Sequence, residues 1–275
     1  MRKSIVFYLL VLFIANDVYS NEPAHKLMVS MHPLEPFVIA DNNQPSAGFI
    51  VDIFNKMAHI VGYRGKVKLV SFARAKKRLR TSMSQYSPET GKMEYIYAAH
   101  LIMVRTQKRE GFYKWVGPIL YDGSVIYKNS TDNRIFRSLE DIKNKGATCA
   151  IQRGVSETEL FKSLDIPFYE TNTQEQALDL LIKGRSKVSC TPIAIMNLEM
   201  LLDFSGHSMS EIAPMSFQLK TQPIYMAFSP QTHASVITKW QKALDSIDRI
   251  NIINQYVPFY TEEFEKRFAN NYHAK

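Results

Sequence analysis

Short apolar runs alternate along this chain with stretches whose apolar residues recur every three or four positions. The run KLMVSM, residues 26–31, reads as a first strand. In GFIVDIFNKMAHIVG, Ile50, Phe54, Met57 and Val61 fall on one helical face. Gly62 then stands where a helix ends in a left-handed residue. KVKLVSF reads as a strand, FARAKKRLRTSM as a second helix, the segment around Ser87, Pro88 and Gly91 as a loop, and EYIYAAHLIM as a third strand. VGPIL and GSVIYK read as extended and fit a crossing between two halves.

The second half repeats the alternation. SLEDIKNK carries Ser138 and Asp141 at helix-start spacing, and ATCAIQ reads as a strand. Ser156 and Glu159 in SETELFKSL have the spacing of a capping box, as do Thr173 and Gln176 in TNTQEQALDLLIKGR, which Gly184 closes. VSCTPIA is a strand, a helix follows from about Met196 to Phe204, and QPIYMAFSP is a further strand. ASVITKWQKALDSI places Val236, Trp240, Leu244 and Ile247 on one face of a long helix. The pattern predicts an α/β protein of two similar lobes, each a mostly parallel sheet flanked by helices. Residues 21–122 and 222–275 are expected to form lobe one, and residues 123–221 lobe two. Lobes of this kind hold ligands in the crevice at the carboxyl ends of their strands.

The first residues, MRKSIVFYLLVLFIANDVYS, change where this fold is expected to work. Arg2 and Lys3 precede an apolar run from Ile5 to Ala15, and Val18-Tyr19-Ser20 resembles a peptidase site. Residues 1–20 therefore read as a cleaved signal peptide, and the periplasm is the expected location. Removing Arg2, Lys3 and Asp17 with that segment takes the formal charge from +8 to +7. Export makes nucleic acid a poor partner despite this basicity. Cys149 and Cys190 both lie in predicted strands, where two buried thiols are favoured over a disulfide.

Little in the chain signals covalent chemistry. The seven histidines include no i, i+4 pair and no H-E-x-x-H, so neither a metal nor another cofactor is expected. Nucleophile-elbow and phosphate-loop motifs are absent. The basic run RAKKRLR reads as a solvated helix face, except that Arg74, one turn after the strand end, is placed at the crevice. Gly154-Val155-Ser156 opens a helix after a strand, which suits either an ordinary N-cap or an anion site.

With these segments in place, the chain resembles the family 3 periplasmic solute-binding proteins of amino-acid ABC transporters. The resemblance runs from about Leu27 to Tyr256. It rests on EPFVIADNNQPSAGFIVDIFNKMA, RTQKRE, SLEDIKNKGATCAIQRGVSET and QALDLLIKGRSKV, in the family's order. It implies a two-lobed clamshell in which the arginine of a T-x-x-R motif, here Thr106 and Arg109, holds a ligand carboxylate. A guanidinium fork suits that role because it binds a carboxylate bidentately. Gly154 and Ser156 match the family's second-lobe helix start, and Phe37 and Phe72 fall near its stacking aromatics. Three departures mark a divergent branch: Pro192 replaces the aspartate that holds the ammonium, Lys187 replaces the "GrvDa" aspartate, and LIMV (101–104) replaces the serines before T-x-x-R.

The leading expectation is a monomeric binding protein that closes on a small anionic or zwitterionic solute and presents it to the membrane permease of an ABC transporter. Arg109 would hold the carboxylate, Arg74 would add a second anion contact, and Phe37, Phe72 and Trp115 would form apolar walls. A sensor docking to a signalling receptor is the second reading. A dehydratase-like enzyme on the same fold is the third, with Glu35 and His100 as its candidate groups.

Overall fold

The computed structural model of the chain describes residues 26–81, 83–88, 91–184, 187–219, 221–262 and 265–266. The expected signal peptide, residues 1–20, lies outside them.

Two sheets organise the chain. The first has strands β1 (Lys26–Met31), β4 (Lys68–Leu69), β6 (Lys92–Val104), β7 (Lys114–Asp122) and β13 (Gln222–Phe228), in the order β4-β1-β6-β13-β7. A strand β5 (Met83–Ser87) pairs with β6 where the sequence suggests only a loop. The second sheet has β8 (Ser124–Asn129), β9 (Thr148–Gln152), β10 (Phe168–Thr171), β11 (Val188–Ala194) and β12 (Ile212–Gln218), in the order β10-β9-β11-β8-β12. In each sheet three parallel strands take the order second-first-third, β4-β1-β6 and β10-β9-β11, and the strand beside the third, β13 or β8, runs antiparallel to it. Parallel pairing is confined to β4-β1-β6 and β10-β9-β11; the strands that lead between the sheets pair antiparallel. A small hairpin of β2 (Ile39–Asp41) and β3 (Gln44–Ala47) stands apart.

Helix α1 (Phe49–Val61) buries Ile50, Phe54, Met57 and Val61 as its periodicity requires, and Gly62 ends it at φ 69°. Its inward face meets α7 (Ala234–Asp245), where Trp240 stacks on Phe54 with centroids 5.8 Å apart. Gly48, at φ 111°, lets α1 begin against the Phe37 loop; a Cβ there would lie 2.5 Å from the Phe37 carbonyl oxygen. The chain after α8 (Arg249–Asn254) returns to the same core: Tyr260 is fully buried, and the Tyr121 N–H donates to its hydroxyl at 3.1 Å. Arg249 grips Glu265 bidentately beside it.

The second sheet is covered by α3 (Leu139–Asn144), α4 (Ser156–Ser163), α5 (Gln174–Ile182) and α6 (Leu198–Ser205). Here one expectation is corrected. Cys149 and Cys190 form a disulfide, because parallel β9 and β11 place them opposite one another with Cα atoms 4.3 Å apart. A second correction concerns α4. Its N-cap is Val155 and has no side-chain cap, so the Ser156–Glu159 box does not form. Thr173 does cap α5, accepting from the Gln176 N–H.

Candidate functional site

Between Asp122, the last residue of β7, and Ser124, the first of β8, only Gly123 separates the two sheets. A cavity of about 100 Å³ opens beside this crossing, between the sheets. Its walls come from the carboxyl ends of strands on both sides: His32 after β1, Ile102 and Val104 in β6, Val155 and Ser156 after β9, and Pro192 and Ala194 in β11. This is where a fold of this kind assembles ligand sites.

A charged cluster closes one side of it. Arg109 sits in a 3-10 turn (Gln107–Phe112) whose backbone is tied by Arg109 N–H to the Thr106 carbonyl at 2.8 Å. The side chain is 2% exposed. Its Nε and one terminal nitrogen donate to Glu159 Oε1 of α4 at 3.2 and 2.8 Å. The other terminal nitrogen donates to the Val104 carbonyl at 3.0 Å, and a further bond reaches the Gly154 carbonyl at 3.2 Å. Four of the five guanidinium protons are thus engaged. Lys76 of α2 (Phe72–Arg80) joins from the same side, donating to Glu159 Oε1 at 3.0 Å and to the Gly154 carbonyl at 3.1 Å.

Burial works against a charge on Glu159, but the hydrogen bonds and charges of Arg109 and Lys76 outweigh it and hold the carboxyl below its ordinary range. Burial, with the adjacent Arg109 charge, pulls Lys76 down in spite of its carboxylate partner. The loop that offers the Gly154 carbonyl approaches closely: a Cβ on Gly154, at φ 87°, would touch Phe72 at 3.4 Å and the Lys76 stem at 3.6 Å.

At the crossing, Asp122 is 5% exposed and lines the cavity. Its Oδ1 accepts the Gly123 N–H at 2.8 Å; Oδ2 is buried with no partner at hydrogen-bond geometry among the described residues, although the Met196 and Ile195 N–H groups face the carboxyl. Burial pushes its pKa up to about 8, and the charge of Glu157 adds to the effect. The N–H groups of Gly123, Met196 and Ile195 oppose it only in part. Glu157 lines the same space and accepts from the Ser124 hydroxyl at 2.6 Å and the Ser156 hydroxyl at 2.9 Å. Gln222, at the second crossing, also lines the cavity and has a buried, unpartnered Oε1.

A chain of buried hydrogen bonds leads into the cavity from β1. Ser30 Oγ donates to the Ala99 carbonyl at 3.2 Å, so it accepts from His100 Nδ1 at 3.0 Å. His100 Nε2 is then the acceptor for His32 Nδ1, 3.0 Å away. This order leaves the lone pair on His32 Nε2, in a residue that lines the cavity. Desolvation lowers the His32 pKa to about 4, so the ring is neutral at ordinary pH.

The expected site residues divide accordingly. Phe37, Phe72, Arg109 and Ser156 line the cavity. Gly154 and Thr106 support the charged cluster through backbone carbonyls, and Thr106 Oγ1 is buried without a partner. Arg74 is exposed and absent from the lining; on α2 it is Lys76, one turn after Phe72, that reaches the cleft. Trp115 is also absent from it, packing instead between Tyr113 and Tyr225 at 5.5 and 5.8 Å. Glu159, Lys76, Asp122, Glu157 and His32 were not singled out for the site by sequence. Asp122 carries a faint signal, a carboxylate beside glycine at the expected crossing; Glu159 carries a misleading one, its capping-box spacing.

No protein-family model matches the sequence, and no curated protein matches it. Solved structures do match the fold. A histidine kinase sensor domain with similarity to periplasmic binding proteins superposes with a TM-score of 0.66 at 16% identity, covering 89% of this chain and 96% of its own. An ancestral arginine-binding protein bound to glutamine gives 0.66 at 18% identity, covering 86% and 99%. The arginine-, lysine-, histidine-binding protein ArtJ from Geobacillus stearothermophilus gives 0.67 at 14% identity, covering 86% and 97%. The chain thus has the two-lobed fold of the periplasmic amino-acid-binding proteins.

Proposed function

We propose that this chain is an exported solute receptor that closes its two lobes around one small molecule and presents the closed form to a membrane partner, an ABC permease. The observation that carries this reading is the cavity at the crossing, built from strand ends of both sheets and lined by two buried oxygens, Asp122 Oδ2 and Gln222 Oε1, without a hydrogen-bond partner among the described residues. A buried polar oxygen without a hydrogen bond is costly, so a site that keeps one is organised for something that enters. The charged cluster gives closure a driving force, since Lys76 and Arg109 from one side meet Glu159 from the other.

A sensor role is the second reading, favoured by the likeness to a histidine kinase sensor domain over 89% of the chain. The same closed form would then be read by a signalling receptor. Turnover has weaker support, because Glu35 and His100 are both absent from the cavity lining. Native mass spectrometry of protein purified without denaturation tests the receptor reading. A retained small molecule, or a small-molecule shift in melting temperature, is the expected result; a protein that stays empty and unresponsive to a broad solute library would refute it.

A further inference from the structure

The fold's structural neighbours include amino-acid binders, and the resemblance points to an arginine that takes a ligand carboxylate. In this chain that arginine holds an internal carboxylate instead, so what remains to face a ligand is different. Resting on the receptor reading above, we infer that the cavity accepts a small organic cation, a primary amine or amidine without a carboxylate, whose N–H groups are received by Asp122, His32 and Gln222.

The first argument is a charge count. Lys76 and Arg109 bring two positive charges to the cleft, while Glu159, Glu157 and Asp122 bring three negative ones when ionised. His32 is neutral. In the empty site Asp122 keeps its proton and the remaining charges balance, two against two; an entering monocation would take the place of that proton. Beyond the lining, Glu35 of the first lobe feels the charge of Glu175 in the second. Their chain neighbours Leu34 and Gln174 line the cavity, so its surroundings are acidic too. This sign is local, since the chain as a whole carries +8.

The second argument is hydrogen-bond valence. The Ser124 and Ser156 hydroxyls donate their protons to Glu157, and Gln174 donates to the Pro192 carbonyl at 3.1 Å. Arg109 has four of its five protons engaged. Acceptor positions left unspent at the cavity are Asp122 Oδ2 once that carboxyl ionises, Gln222 Oε1 and the His32 Nε2 lone pair. Acceptors around a void call for a ligand rich in N–H donors, and charged donors make the stronger bonds.

The third argument is size and surface. A cavity of about 150 Å³ in another protein holds benzene, so the roughly 100 Å³ here suits a ligand of about four non-hydrogen atoms. Phe37 and Phe72 supply aromatic surface, which is compatible with an ammonium group.

The test is thermal shift and titration calorimetry on the chain purified without denaturation, at pH 8 and constant chloride. The probes are methylammonium, ethanolamine and guanidinium; acetate and lactate; and glycine and alanine. At least one of the three cations should raise the melting temperature, and Asp122→Asn should weaken its binding at least tenfold. If that variant does not fold, Glu157→Gln reads the same charge count. Stabilisation by acetate, lactate or the amino acids with none by the cations would leave the receptor reading standing and overturn the cation assignment. So would cation binding that is unchanged in Asp122→Asn. Where native mass spectrometry finds a retained ligand, an amine or amidine without a carboxylate supports the assignment and any other class overturns it. No response to any probe, together with no retained ligand, overturns the cation assignment; the receptor reading falls only if the broad solute library also gives no response.

Discussion

Arg109 and Glu159 meet across the cleft: Nε and a terminal nitrogen of the arginine donate to a single carboxylate oxygen, at 3.2 and 2.8 Å. The arginine is buried and the glutamate is about a quarter exposed. Glu159→Gln would leave the guanidinium with amide and carbonyl oxygens and no counter-charge. Hydrogen bonds to charged groups contribute about 1.5–3 kcal/mol, so the variant should lose about 2 kcal/mol of closure. Small-angle scattering should show a larger radius of gyration; an unchanged radius would mean that the pair does not hold the lobes.

Acid should act on the same pair. The Glu159 carboxyl is held below its ordinary value of 4.5, so the stabilisation is present above that pH and lost as pH falls through the lower folded value. Scattering followed from pH 6 downward should register opening only below about 4.5. Glu159→Gln should show no such transition.

Asp122 predicts the opposite slope. Its pKa rises from 3.8 to about 8, so the empty folded state holds a proton that the unfolded chain has lost between those values. Stability of the empty protein should therefore fall as pH rises from about 4 to about 8. The other titratable groups facing this space are Glu157, His32 and Arg109. Asp122→Asn should melt higher than the parent at pH 8 and converge with it near pH 4. A variant that melts lower at pH 8 would show the carboxylate to be structurally required.

Reducing the disulfide should destabilise the second lobe. The bridge spans 41 residues, for which chain-entropy reasoning gives about 4 kcal/mol. Denaturant unfolding with and without reductant measures it. Cys149→Ala with Cys190→Ala should behave like the reduced protein, apart from the small loss of buried sulfur.

Gly154→Ala tests the approach of the loop to α2. A left-handed conformation costs a residue with a Cβ about 1–2 kcal/mol, while this Cβ would only come into contact with Phe72. The variant should bind more weakly and scatter as a more open molecule, with little change in the melting of either isolated core.

Much of the architecture could be read from periodicity. Lys26–Met31 matches a predicted strand, and the buried face of α1 is the one its apolar spacing demands. Strand β5 was missed because MSQYS lacks an apolar alternation and owes its place to pairing with β6. The disulfide was missed because strand order, unlike strand identity, is not written in local pattern. At the site, Phe37, Phe72 and Ser156 were found from the resemblance, whereas Lys76 and Glu159 were not. A helical surface charge and a capping residue look the same in sequence whether they face water or another lobe. The tertiary approach of α4 to α2 decides which it is.

Glu159 is tethered to the fold that carries Arg109, and this gives it an advantage no free solute has. A group held within reach by the chain acts as though present at millimolar concentration or above. A carboxylate arriving from solution must outcompete that internal rival for the guanidinium before the lobes shut. Dilute acids are therefore excluded by mass action, without any steric barrier.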